Sequence, residues 1–218
     1  MQNQLNRSEC LYTAIVAFYG IILLLSNLCA IKLFQLPFSN LIIPVGLLSY
    51  PITFVLGDLV TELFGKKKAH FMIGLGFFLM VISTLLIRLS IWLPSFSEEN
   101  QKIFEQAFGL TLTATVSSLT AFLVGQLVDI HLYQWIRKQK NSPLWMRSLG
   151  STLPSQLIDS TIVCMGLYFF GMGFSLPLVL QIITFEFGYK LLVCVANVPL
   201  FSIAVKSARK FLAKEAYL

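Results

Sequence analysis

Five carboxylates stand inside stretches that are otherwise almost wholly apolar: Asp58, Glu62, Asp129, Asp159 and Glu186. One base, Lys190, and two amides, Gln126 and Gln156, join them. They fall in pairs: Asp58 with Glu62 and Glu186 with Lys190 at i,i+4, Gln126 with Asp129 and Gln156 with Asp159 at i,i+3. On a helix each pair shares one face. An ionised residue at the centre of a membrane helix costs roughly 2.5–3.5 kcal/mol, so residues placed there usually face a cavity and serve a function. Glutamines alone would fit interhelical hydrogen bonds that only hold a bundle together. Five acids against one base do not, because four negative charges would remain. Protons on some acids, a bound cation or a donor-rich ligand would offset them. A glutamine amide both donates and accepts, and a carboxylate accepts two parallel N–H groups. Together they suit a flat heterocycle with an amidine-like edge, and Phe54, Tyr133, Phe185, Phe187 and Tyr189 are candidates to stack on it.

Chain distance sets the depths. Asp58 precedes Lys66, and Asp129 precedes Arg137, by eight residues each, about 12 Å at ~1.5 Å per residue. Asp159 follows Arg147 by twelve residues and falls near the midplane. Glu186 and Lys190 lie deeper still when counted from the same side. Glu62 falls near the interface, where an ion pair with Lys66, Lys67 or Lys68 is the plain reading and a gate at the exit the functional one.

The elements that must hold these residues are membrane helices. The chain has 218 residues, 56% hydrophobic and 12% charged, with a mean hydropathy of +0.78. A soluble domain carries about a quarter charged residues. Six spans are expected, at 11–31, 41–64, 71–93, 111–135, 152–174 and 178–205, each near or above the ~20 residues needed to cross. Connections are short, so the expectation is an all-α integral membrane protein: a single transmembrane domain over 1–218, a six-helix bundle. Arg7, Lys66–Lys68, Arg137, Lys138, Lys140, Arg147, Lys206, Arg209, Lys210 and Lys214 fall on one side, the acidic loop "PSFSEENQKIFEQ" on the other. Positive charge marks the cytoplasm, so both termini are expected inside. Pro51 within the second span predicts a kink or a break. "GQLVD" at 125–129 returns as "SQLID" at 155–159 on the next, antiparallel helix, so two Gln–Asp pairs meet at one level.

Several classes are disfavoured. The net charge of +6 comes from short flanks of the spans and gives no nucleic-acid surface. The first apolar run is too long for a signal-peptide core. The four cysteines form no C-x-x-C, and no metal or cofactor is expected. His70 and His131 lie near the cytoplasmic edge, without a nucleophile or zinc motif on a deep helix, so an enzyme is not expected.

The blocks "SNLCAIKL", "YPITFVLGDLVTELFGKKKA", "AFLVGQLVDIHLYQWIRK", "WMRSLGSTLPSQLIDS" and "EFGYKLLVCVANVPL" resemble the successive motifs of the queuosine precursor transporter family, from the first span to the last. The resemblance implies a six-helix importer in the bacterial inner membrane, multi-pass and working without an ATPase. It implies 7-deazaguanine substrates for tRNA queuosine modification: the 7-cyano or 7-aminomethyl base, or queuine. It marks Asn27, Asp58, Glu62, Gln126, Asp129, Gln156, Asp159, Glu186 and Lys190 as substrate-binding or translocation residues. Gly57 stands where the family often has Asn or Thr. A proton is the candidate coupling ion, with Asp58 and Asp129 as its carriers, and a homo-oligomer is compatible with the chain. The competing reading is a substrate-binding membrane subunit of an energy-coupling uptake complex.

Overall fold

The computed structural model describes residues 7–30, 32–35, 42–109, 112–169 and 175–213. Among the described residues, seven helices and one strand pair follow in order: α1 (Arg7–Cys29), β1 (Leu33–Gln35), β2 (Ile42–Pro44), α2 (Gly46–Phe64), α3 (Lys66–Trp92), α4 (Glu98–Phe108), α5 (Leu112–Arg137), α6 (Leu144–Phe169) and α7 (Leu176–Ala213). Six of them are 19 residues or longer. Four described helices, α1, α3, α5 and α7, are long and apolar enough to cross a membrane by length and composition. Only 22–39% of each candidate span is buried. Phe71, Phe78, Leu85, Leu192 and Ile203 point outward, each more than half exposed. That much apolar surface requires lipid as solvent: the protein is an all-α, multi-pass membrane protein.

α2 is the hub, touching each of the other five long helices. Its Leu56, Leu59 and Val60 enter one apolar core with Tyr19 and Leu23 of α1, Met72 and Ile73 of α3, Phe122 and Ile130 of α5, and Phe201 and Val205 of α7. Small residues let α1 and α2 close up. A Cβ on Gly46 would collide with the Ser26 carbonyl, and the Ser26 and Ser49 hydroxyls bond across the contact at 2.7 Å. Close packing of this kind, together with polar bonds, joins helices where lipid removes the hydrophobic drive.

Four expectations change. The second helix starts at Gly46, because β1 and β2 pair antiparallel ahead of it, and the Val45 N–H donates to the Lys32 carbonyl at 2.8 Å. α2 then runs through Pro51 without the break that is one of the two expectations there. Lys66–Lys68 are helical: Gly65, at φ +83° and ψ 174°, a backbone shape open to glycine, ends α2, and α3 begins at Lys66. The acidic loop is helix α4. Ser97 caps it by accepting from the Asn100 N–H at 3.2 Å, and Glu98 and Glu99 favour its N-terminus. Gln101 ties α4 to the end of α3 by donating to the Ile91 carbonyl at 2.8 Å. Finally, α6 and α7 reach beyond the expected spans, beginning at Leu144 and ending at Ala213.

Candidate functional site

Three polar groups are strung along α2, at Tyr50, Asp58 and Glu62. The steps of eight and four residues are about 12 and 6 Å of helix.

At Tyr50 lies a cavity of about 170 Å³, walled by Ser26, Asn27, Tyr50, Asp159, Glu186 and Lys190 among apolar neighbours. This is smaller than the roughly 300–1,000 Å³ of drug-sized sites. A second cavity of about 180 Å³ shares Asn27, Ala30, Met80 and Ser118 with it and runs to Arg88 and to Phe108 of α4. Lys190 donates to Asp159 Oδ2 at 2.9 Å and to the Ser160 hydroxyl at 2.7 Å, and Tyr50 donates to Asp159 Oδ1 at 3.3 Å. Asp159 is thus neutralised. Glu186 is 3.8 Å from Lys190, and its Oε2 has no hydrogen-bond partner. The cavity therefore holds one neutralised ion pair and one carboxylate with acceptor capacity to spare. The i,i+4 pairing of Lys190 with Glu186 is present at 3.8 Å, and Asp159 on α6 adds a shorter and more buried contact at 2.9 Å.

At Asp58 the chain brings two carboxyls together, and among the described residues neither has an ion-pair partner. Asp58 and Asp129 are each 1% exposed and close enough to interact. The Ser148 hydroxyl donates to Asp58 Oδ2 and that of Ser155 to Asp129 Oδ1 at 3.3 Å. Ser151 and Thr152 also reach Asp129. Asp58 Oδ1 and both amide atoms of Gln126 are buried without partners.

At Glu62 four helices are tied together. Arg147 Nη1 donates to both carboxylate oxygens at 3.1 and 3.0 Å. Arg209 donates at 2.6 Å, Tyr133 at 3.1 Å, and Arg137 Nε lies at 3.6 Å. Arg137 and Gln134 also donate to the Thr61 carbonyl, at 3.0 and 3.3 Å. The expected pairing of Glu62 with Lys66–Lys68 is corrected. Those lysines begin α3, whereas the arginines come from α5, α6 and α7 and close this end of the bundle around a carboxylate that is 1% exposed.

The two Gln–Asp motifs do run side by side: Ser155 bonds Asp129, and a Cβ on Gly125 would meet Asp159 Cβ at 3.4 Å. Their acids nevertheless serve different groups, Asp129 with Asp58 and Asp159 with Lys190. Gln156 is buried, with its Oε1 unpartnered. Of the aromatics expected to stack, Phe185 faces outward and Tyr133 is spent on Glu62. Tyr50 and Phe122 are the ones that line the inner cavity. Sequence reasoning missed the buried face of α6: Ser148, Ser151, Thr152, Ser155 and Ser160. Their three- and four-residue spacing was the available signal.

A "Probable queuosine precursor transporter" of Bacillus subtilis (strain 168) is 30% identical over 140 residues, 63% of this chain and 60% of that relative. The chain thus matches less than two thirds of the relative's length. No solved structure gives a significant match. The family described as "Putative vitamin uptake transporter" matches residues 44–204, a stretch that holds every charged residue of the three groups except Arg209, and the chain belongs to that family.

Proposed function

We propose that this protein imports queuosine precursors, 7-deazaguanine bases such as the 7-cyano and 7-aminomethyl forms or queuine, across a bacterial inner membrane to supply tRNA modification. The observation that carries this reading is the inner cavity. It is small, and its polar wall offers acceptors at Glu186 and Asn27 and a fixed ion pair at Asp159 and Lys190. A guanine-type edge presents N–H donors to a carboxylate and a carbonyl to an amide or ammonium. The likeness to the Bacillus subtilis relative favours this substrate class.

The residues assigned to binding or translocation are Asn27, Asp58, Glu62, Gln126, Asp129, Gln156, Asp159, Glu186 and Lys190. In this reading the chain is a single domain with six spans and both termini in the cytoplasm. The gathering of Arg137, Arg147 and Arg209 at the Glu62 end supports that orientation, as does the acidic α4 linked to the far end of α3. No catalytic step and no nucleic-acid contact is assigned. Accumulation draws on a cation gradient, the surplus of buried acids being what favours it, with the proton as the sequence's candidate.

The test is uptake of each labelled base by cells unable to make queuosine, with and without this chain. Saturable uptake of at least one base that depends on the chain is expected; uptake equal to that of cells lacking it overturns the reading. The alternative, a binding subunit driven by a separate ATPase, predicts no transport by the purified chain in liposomes.

A further inference from the structure

We infer that Glu186 and Lys190 are the pair that reads the base: Glu186 accepts its ring N–H and exocyclic amine, Lys190 donates to its carbonyl, and Asp159 is a positioning residue that holds Lys190. The inference rests on the transport reading for the identity of the base. Both residues wall the inner cavity, and they stand one turn apart on α7, on one face. Lys190 Nζ and Glu186 Oε2 are 3.8 Å apart. That is beyond hydrogen-bond reach, and Glu186 Oε2 has no hydrogen-bond partner. An ammonium has three N–H groups. Lys190 directs two of them to Asp159 Oδ2 and the Ser160 hydroxyl, at 2.9 and 2.7 Å. A spare donor and a spare acceptor are thus left side by side.

A neighbouring donor and acceptor match a planar lactam edge, a carbonyl beside a ring N–H. Charge extends the match. Among the described residues that wall this cavity, Lys190 stands against two acids, Asp159 and Glu186. The surplus carboxylate favours an edge that presents N–H groups over one that presents lone pairs, because hydrogen bonds to an ionised acceptor are the stronger ones. The amine of a guanine-type base sets a second donor beside the ring N–H, and a carboxylate accepts two parallel N–H groups. Asp159 is the poorer acceptor for that edge. Its Oδ1 already accepts from Tyr50 at 3.3 Å and its Oδ2 from Lys190, and its side chain is 8% exposed against 24% for Glu186. Its use is to hold the ammonium off Glu186. With residue 159 uncharged, Glu186 is the carboxylate left to Lys190, and closing the gap between them would consume the donor and the acceptor together.

Equilibrium binding to the purified full chain in detergent tests this. Labelled 7-cyano-7-deazaguanine is displaced by three ligands: the unlabelled base, its analogue lacking the exocyclic amine, and the methyl ether of its carbonyl oxygen, which has no ring N–H at that edge. The wild-type chain should bind the intact base about ten-fold or more tighter than either analogue, since each analogue loses a hydrogen bond to a charged group. Glu186→Gln should weaken the intact base by about ten-fold and remove most of the preference. Asp159→Asn should remove it as well, an effect that a merely structural role for Asp159 would not produce. Each variant leaves Lys190 one carboxylate, so both should fold; if either does not, the ligand series on the wild-type chain decides alone. Equal affinity of the wild type for all three ligands, or a preference undiminished in Glu186→Gln, would overturn the reading pair and leave transport standing. A preference undiminished in Asp159→Asn would overturn the positioning role. A wild-type chain that does not bind the labelled base would overturn the transport reading and this assignment with it.

Discussion

Removing the Lys190 ammonium tests the partner assignment in the inner cavity. Lys190 and Asp159 side chains are 3% and 8% exposed, with 2.9 Å between charges. Glu186 is 3.8 Å away and 24% exposed. Lys190→Met leaves Asp159 buried with only the Tyr50 hydroxyl, at 3.3 Å. Breaking a buried pair from one side costs about 3–5 kcal/mol, because the surviving charge is stranded. For a chain of this size that is a fall of about 10 °C in unfolding midpoint. Adding Asp159→Asn removes the stranded charge and should restore most of the loss. Adding Glu186→Gln should restore little, since that carboxylate is farther away and partly solvated. Thermal unfolding of the purified variants, followed as loss of the monodisperse peak on size exclusion, reads the result. Recovery by Glu186→Gln equal to that by Asp159→Asn, or none by either, would refute the assignment and the charge accounting of the cavity.

Other outcomes follow from the remaining groups. Glu62→Gln leaves Arg137, Arg147 and Arg209 facing one another and should cost about 1–3 kcal/mol by thermal unfolding; solvent screening of the partly exposed arginines holds it below the Lys190 value, and an unchanged midpoint would discount the cluster as a tie between helices. Asp129→Asn and Asp159→Asn should each abolish base uptake while leaving the amount of protein in the membrane undiminished, since removing a charge eases insertion; near-normal uptake by both would remove them from the site. Gly65→Ala, at φ +83°, should cost about 1–3 kcal/mol without changing the substrate preference in a competition assay, because the added Cβ would meet nothing within 4 Å.

The deep charges were legible because they break an apolar pattern, and each falls on a helix that the hydropathy located. Their partners were not, because spacing along one helix says which residues share a face and nothing about what packs opposite. Glu62 illustrates the limit. Three lysines follow it within six residues, yet its partners, Arg137, Arg147 and Arg209, are contributed by three other helices. Helix ends were misplaced for a different reason. A hydropathy window stops where charge begins, whereas the backbone ladder stops where a residue such as Gly65 turns the chain. The lysine run is polar and still helical, so composition drew the boundary at the wrong place.

α6 carries this reasoning furthest, because its polarity is inverted. Leu157 and Pro154 face outward, and Ser148, Ser151, Thr152, Ser155, Gln156, Asp159 and Ser160 face in. In water such a helix would be turned inside out; in lipid it is the stable arrangement, because the apolar face meets hydrocarbon and the hydroxyls meet partners. Small side chains on the buried face also let α5 and α7 come close enough for Asp129 and Lys190 to reach α6. One stripe therefore serves two of the three polar groups: its first half supplies hydroxyls to Asp58 and Asp129, and its second half supplies Asp159 and Ser160 to Lys190. A rotation of α6 by one residue, about 100°, would withdraw both sets of contacts together. The carboxyl pair and the ion pair in the cavity are thus joined through a single helix.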